Sequence, residues 1–143
     1  MAHDVPLSDA SRYAARRDWL LLVAGAVAIV FGVATIRAGG LVLFGNERAV
    51  ADAGSYVGFV LWFNFIAGFF YVLAGIGMWL RQRFGAWLAA LLAAATVAVF
   101  IAFGVHIVTG GTWETRTLAA MTLRSVVWIV LAAIAMKRIP QRG

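Results

Sequence analysis

The sequence predicts an all-α integral membrane protein folded as a four-helix bundle. Three observations carry that prediction: four long apolar runs, a hydrophobic content of 64% against 13% charged residues, and basic side chains gathered beside the runs. Residues 19–36, 53–80, 84–113 and 117–136 are each long enough to cross ~30 Å of hydrocarbon at ~1.5 Å per helical residue. Only the last run contains a formal charge, Arg124. At 143 residues and a mean hydropathy of +0.92, the chain has too little charge to cover a water-facing surface, so residues 1–143 read as a single membrane domain. The absence of cysteine excludes disulfides, thiolate metal sites and thiol catalysis.

Helix 1 is expected at about 19–36, preceded by Arg12, Arg16 and Arg17. Arg16 to Leu21 faintly echoes a twin-arginine signal, but the apolar run exceeds a usual signal core and lacks a small-x-small cleavage site. It therefore reads as a membrane helix with basic flanks. A long connection follows at 37–55, with an apolar patch at 41–44 between Gly39-Gly40 and Gly45-Asn46. Glycine pairs make flexible boundaries, so the patch is expected to lie on the outer membrane surface or to fold over the bundle mouth as a lid.

Helix 2, about 56–80, carries Gly68, Gly75 and Gly77, which with Gly25 and Gly32 of helix 1 allow the close backbone approach that holds membrane helices together. Its outer half is rich in aromatics, from Tyr56 to Tyr71, covering more than one helical face. Lipid contact accounts for most of them; a flat apolar ligand such as a quinone would use them too. Helix 3, about 84–109, ends at Gly110-Gly111. Helix 4, about 117–136, begins beside Glu114, whose carboxylate suits the positive helix end.

Basic residues set the expected orientation. Arg12, Arg16, Arg17, Arg81, Arg83, Lys137, Arg138 and Arg142 fall on one side; Arg37, Arg48 and Arg116, accompanied by Glu47, Asp52 and Glu114, fall on the other. Both termini are thus expected in the cytoplasm and the protein in the inner membrane. The net charge of +6 sits in clusters where headgroup contact and topology signals belong, which argues against nucleic acid as a partner.

Three helices bring their most polar interior residue to nearly one depth: Asn64 at ~12 Å below the outer helix end, Arg124 at ~10 Å and His106 at ~9 Å. A buried guanidinium costs several kcal/mol unless paired or hydrated, so Arg124 is expected to face the bundle and to pair, first with Glu114, second with Asp52 or Glu47. Asn64, His106, Glu114 and Arg124 are accordingly the candidate ligand-binding cluster, with packing glue as the competing role. Neither a catalytic set nor a metal-ligand set is present. Haem is disfavoured because the only second histidine is His3 in the tail, although Met121 offers an alternative axial ligand. A proton relay lacks acids or histidines through the inner half, where Thr96 and Ser125 stand.

The stretch from Gly68-Phe69-Phe70-Tyr71 through Ala74-Gly75-Ile76-Gly77, then Arg81 or Arg83, an Ala- and Leu-rich third helix and His106, resembles the DoxX-like family of small four-helix membrane proteins. Asn64 stands where that family commonly has Glu, and its proline-containing connection after helix 1 is absent. The resemblance implies a four-helix bundle, in some members an accessory of membrane oxidoreductases working near quinone. The first expectation for function is therefore a non-enzymatic membrane accessory or structural subunit, docking to a larger membrane complex or to copies of itself. The alternative is a quinone- or small-lipophile-binding protein with an outward-facing polar pocket. A transporter is disfavoured by the lack of an inverted repeat and of a polar track through both leaflets.

Overall fold

In a computed structural model, which describes residues 7–141 and their side chains from Trp19 onward, the chain is all-helical. Helix α1 spans Leu7–Phe44, α2 Glu47–Ala53, α3 Gly58–Trp79, α4 Arg83–Val108 and α5 Thr115–Arg138. Trp19–Phe44 of α1 and the whole of α3, α4 and α5 are long and apolar enough to cross a membrane. Large apolar side chains face outward from all four, among them Val30, Trp62, Leu91 and Ile129, as lipid contact requires and water contact would not allow. His3 and Arg142 lie outside the described residues.

The four long helices run alternately up and down. The α3–α4 turn closes on itself at the end of the bundle where α5 finishes, and α2 and the α4–α5 turn occupy the opposite end, called here the loop end. The most intimate contact is α1 against α3. Gly25, Gly32 and Gly39 recur every seven residues on α1, and Gly68 and Gly75 are seven apart on α3. A Cβ on Gly32 would lie 2.8 Å from the Gly68 carbonyl oxygen, and one on Gly75 would lie 2.7 Å from the Gly25 carbonyl oxygen. The backbones therefore touch, and dispersion and weak polar contacts between them replace the hydrophobic drive that lipid removes. Trp79 closes the far end of this pair by donating its indole N–H to the Leu22 carbonyl at 2.6 Å.

This packing corrects the expectation for residues 37–55. Helix α1 does not stop near Ile36 but continues to Phe44, and Gly39 lies inside it, its α-carbon turned toward Phe65 of α3. The glycine pair serves close packing rather than a hinge, because bundle contacts outweigh the ~1 kcal/mol helix penalty of glycine. Nor is the rest a plain loop. Asn46 caps α2, its Oδ1 accepting from the Ala49 N–H at 3.2 Å, and Gly54 at φ +63° ends it.

The core has two parts. Tyr71, Trp128, Met78 and Ala89 belong to the larger one, where the Tyr71 and Trp128 rings stack with centroids 4.4 Å apart. A smaller cluster of Val57, Val60, Phe103 and Met121 fills the space between α3, α4 and α5 toward the loop end.

Candidate functional site

A cleft of about 280 Å³ opens between α1, α3 and α5 under α2. It exists because α5 meets α1 less closely than it meets α4, while α1 is drawn onto α3 by the glycine seam. Its walls are short or aliphatic, including Ala38, Val42, Leu61 and Ala120. Its rim carries Asp52 of α2, Tyr56 and Arg116, and the Arg116 guanidinium donates to the Asp52 backbone carbonyl at 3.5 Å. Its floor carries Thr35, Asn64 and Arg124.

Arg124 lies two turns below Arg116 on the same face of α5. Its Nη1 donates to the Met121 thioether at 3.8 Å, its Nη2 to the Thr35 hydroxyl at 3.5 Å, and its guanidinium carbon sits 5.7 Å from the centre of the Phe31 ring. Nε is buried and has no partner. Asn64 donates to the same Met121 sulfur at 3.7 Å, and its Oδ1 is buried without a donor. Asn64 and Arg124 thus reach the same sulfur from α3 and α5. A thioether is a weak acceptor, so both side chains keep most of their hydrogen-bonding capacity unspent. Two further buried polar atoms of α5, Ser125 Oγ and Trp128 Nε1, also lack partners.

The remaining two predicted cluster residues are elsewhere. Glu114 does not pair with Arg124: its Oε1 accepts the Ser55 N–H at 3.0 Å and so ties the α2–α3 connection to the start of α5. Extended backbone at Glu114, the residue before α5, turns its side chain toward that connection and away from the cleft. His106 does not line the cleft either. Its Nε2 meets the Thr112 carbonyl oxygen at 3.1 Å, and its ring lies over Gly111 and edge-on to Phe59, with centroids 6.1 Å apart. It staples the α4–α5 turn on the far side of the cluster formed by Phe103 and Met121.

Neither Asp52 nor Glu47 pairs with Arg124, so among the described residues no carboxylate answers this charge. Sequence reasoning missed Thr35, Phe31 and Met121 as its actual neighbours. Thr35 had a signal: it falls among Gly25, Ala28, Gly32 and Gly39 on the small-residue face of α1. The aromatic run of α3 mostly turns outward, with Phe65 packed edge-on against Phe44, Trp62 and Phe69, and only Tyr56 of that run borders the cleft.

Because Glu114 and Arg124 belong to separate contacts, Glu114→Gln and Arg124→Leu are expected to combine additively, within about 0.5 kcal/mol, in unfolding free energy. Denaturation of the two single variants and the double variant in mixed micelles measures this. A coupling above about 1 kcal/mol would put the two side chains in contact after all.

The chain matches no protein-family model, no curated protein and no solved structure.

Proposed function

We propose that this protein is a non-enzymatic integral membrane protein that holds one small lipophile in the cleft under α2, with the ligand's polar end at Asn64 and Arg124. One observation carries the reading: a guanidinium at membrane depth, lining open space of about 280 Å³, has a thioether and a hydroxyl for partners and, among the described residues, no counter-charge. Leaving such a group unmatched is costly in a bilayer, where a bound acceptor or water must satisfy it. Small wall residues leave the room, and the volume lies at the lower end of ligand pockets.

With the basic residues read as cytoplasmic, the cleft opens toward the outer leaflet of the inner membrane and both termini are cytoplasmic. The DoxX-like resemblance would place the protein beside a membrane oxidoreductase. An accessory role resting on apolar docking alone has less support, because exposed apolar side chains are spread over all four long helices, where lipid accounts for them.

Native mass spectrometry of the protein extracted in mild detergent tests the reading. Wild type is expected to carry a low-mass adduct, and Ala120→Trp, which fills the cleft one turn above Arg124, to lose it. His106→Ala is expected to keep it. Wild type without an adduct, or an adduct that survives in Ala120→Trp, would sink the proposal.

A further inference from the structure

The polar cleft continues the line of a second hollow. An apolar groove of about 290 Å³ lies between the other halves of α1 and α5, lined by Leu20, Val27, Val127, Val130 and Ile134. On α1, Val27, Phe31, Thr35 and Ala38 follow one another at helical spacing; on α5, Thr117, Ala120, Arg124 and Val127 do the same. Groove and cleft therefore share one seam, with the Arg124–Phe31 contact at the threshold between them. Above the threshold the walls carry Arg116, Asp52 and Asn64. Below it they are hydrocarbon.

We infer that this seam binds one long-chain monocarboxylate, its carboxylate on Arg124 at the threshold and its chain in the apolar groove. The inference rests on the reading of Arg124 as the anchor of a ligand's polar end, names the ligand's class and moves its chain from the cleft into the groove. Charge complementarity argues for the head group. Arg124 presents a planar fork of donors whose present acceptors are a thioether and a hydroxyl, and a carboxylate matches that fork with two parallel charge-assisted bonds. A neutral quinone would leave the charge unanswered, and of the aromatic run on α3 that would grip its ring none borders the cleft, Tyr56 before the helix and Phe31 of α1 being the aromatics at hand. The groove argues for the tail. Its α5 lining runs from Val126 to Ile134, eight residues or ~12 Å of helix, and Arg124 stands half a turn above that end, so head group and chain together have the reach of a single acyl chain. Two chains of a phospholipid would overfill it. Among the described residues Asp52 is the only acid on the rim, and Arg116 beside it offsets its repulsion of an arriving anion.

Binding of hexadecanoate, its methyl ester and dipalmitoyl phosphatidylglycerol to the full chain in maltoside micelles at pH 8.5 tests this, read by displacement of a fluorescent polyene fatty acid. Hexadecanoate is expected to bind one per chain, at least tenfold tighter than the ester. Arg124→Gln should remove that difference, and Val130→Trp should weaken acid and ester alike while the protein keeps its thermal unfolding midpoint. The acid-to-ester comparison on wild type needs no variant, so a poorly folding Arg124→Gln does not shield the inference. Equal affinity for acid and ester, unchanged acid binding in Arg124→Gln, or phosphatidylglycerol displacing the probe at lower concentration than hexadecanoate would each overturn it. A neutral adduct that Ala120→Trp abolishes would overturn the carboxylate alone and leave the cleft reading standing; loss of the cleft reading shows instead as no adduct at all.

Discussion

Gly32→Leu and Gly75→Leu are each expected to destabilise the bundle by about 3 kcal/mol or more, at the upper end of what overpacking costs, and to leave little folded protein after extraction. The reason is the identity of the atoms in the way. A Cβ on Gly32 would stand 2.8 Å from both the Gly68 carbonyl oxygen and Val72 Cγ2, and one on Gly75 would stand 2.7 Å from the Gly25 carbonyl oxygen and from Ile29 Cγ1. Backbone oxygens cannot swing aside as a side-chain tip can, so α1 and α3 must separate and lose their mutual contacts along the whole seam. Gly104→Ala is the control: no atom lies within 4 Å of the added carbon, and the change should be neutral or stabilising by about 0.5–1 kcal/mol through helix propensity. Folded fraction against denaturant in mixed micelles reads all three. A Gly32→Leu protein as stable as wild type would mean that the two backbones do not meet.

Trp128→Ala is expected to cost about 3 kcal/mol, the low end of the range for emptying an aromatic core site. Trp128 has no exposed surface and stacks on Tyr71, which in turn lies 6.0 Å from Phe31. The low end applies because the unfolded reference also sits in lipid, so the loss is dispersion and cavity rather than transfer from water. Trp128→Phe should cost much less, under about 1.5 kcal/mol. It keeps the ring stack and removes an indole N–H that has no partner in the core, and eliminating a buried unsatisfied donor offsets part of the lost contact. A phenylalanine variant as unstable as the alanine variant would show that the indole nitrogen is engaged.

Hydropathy and length were enough to specify an all-helical chain with four helices of membrane-spanning length, because the count and position of apolar residues are properties of the linear chain. Depth was also accessible in part. A rise of ~1.5 Å per residue put Asn64 and Arg124 at one level, and they do meet at the Met121 sulfur. Rotation about each helix axis was not accessible, since it is settled only when helices pack. The glycine seam turns Gly39 toward Phe65 and so carries α1 on to Phe44, against the local signal of Gly39-Gly40 for a break. The same packing sends His106 to the α4–α5 turn, although its depth suited the predicted cluster, and sends Glu114 to Ser55 rather than back toward Arg124. It also leaves Arg124 beside Thr35 and Phe31, in a hollow where no described carboxylate pairs with it. From the sequence alone this protein is a set of membrane-length helices carrying one interior charge; which side chains face that charge was decided by the tertiary structure, because contacts between helices depend on their relative rotation and spacing, which close backbone packing sets.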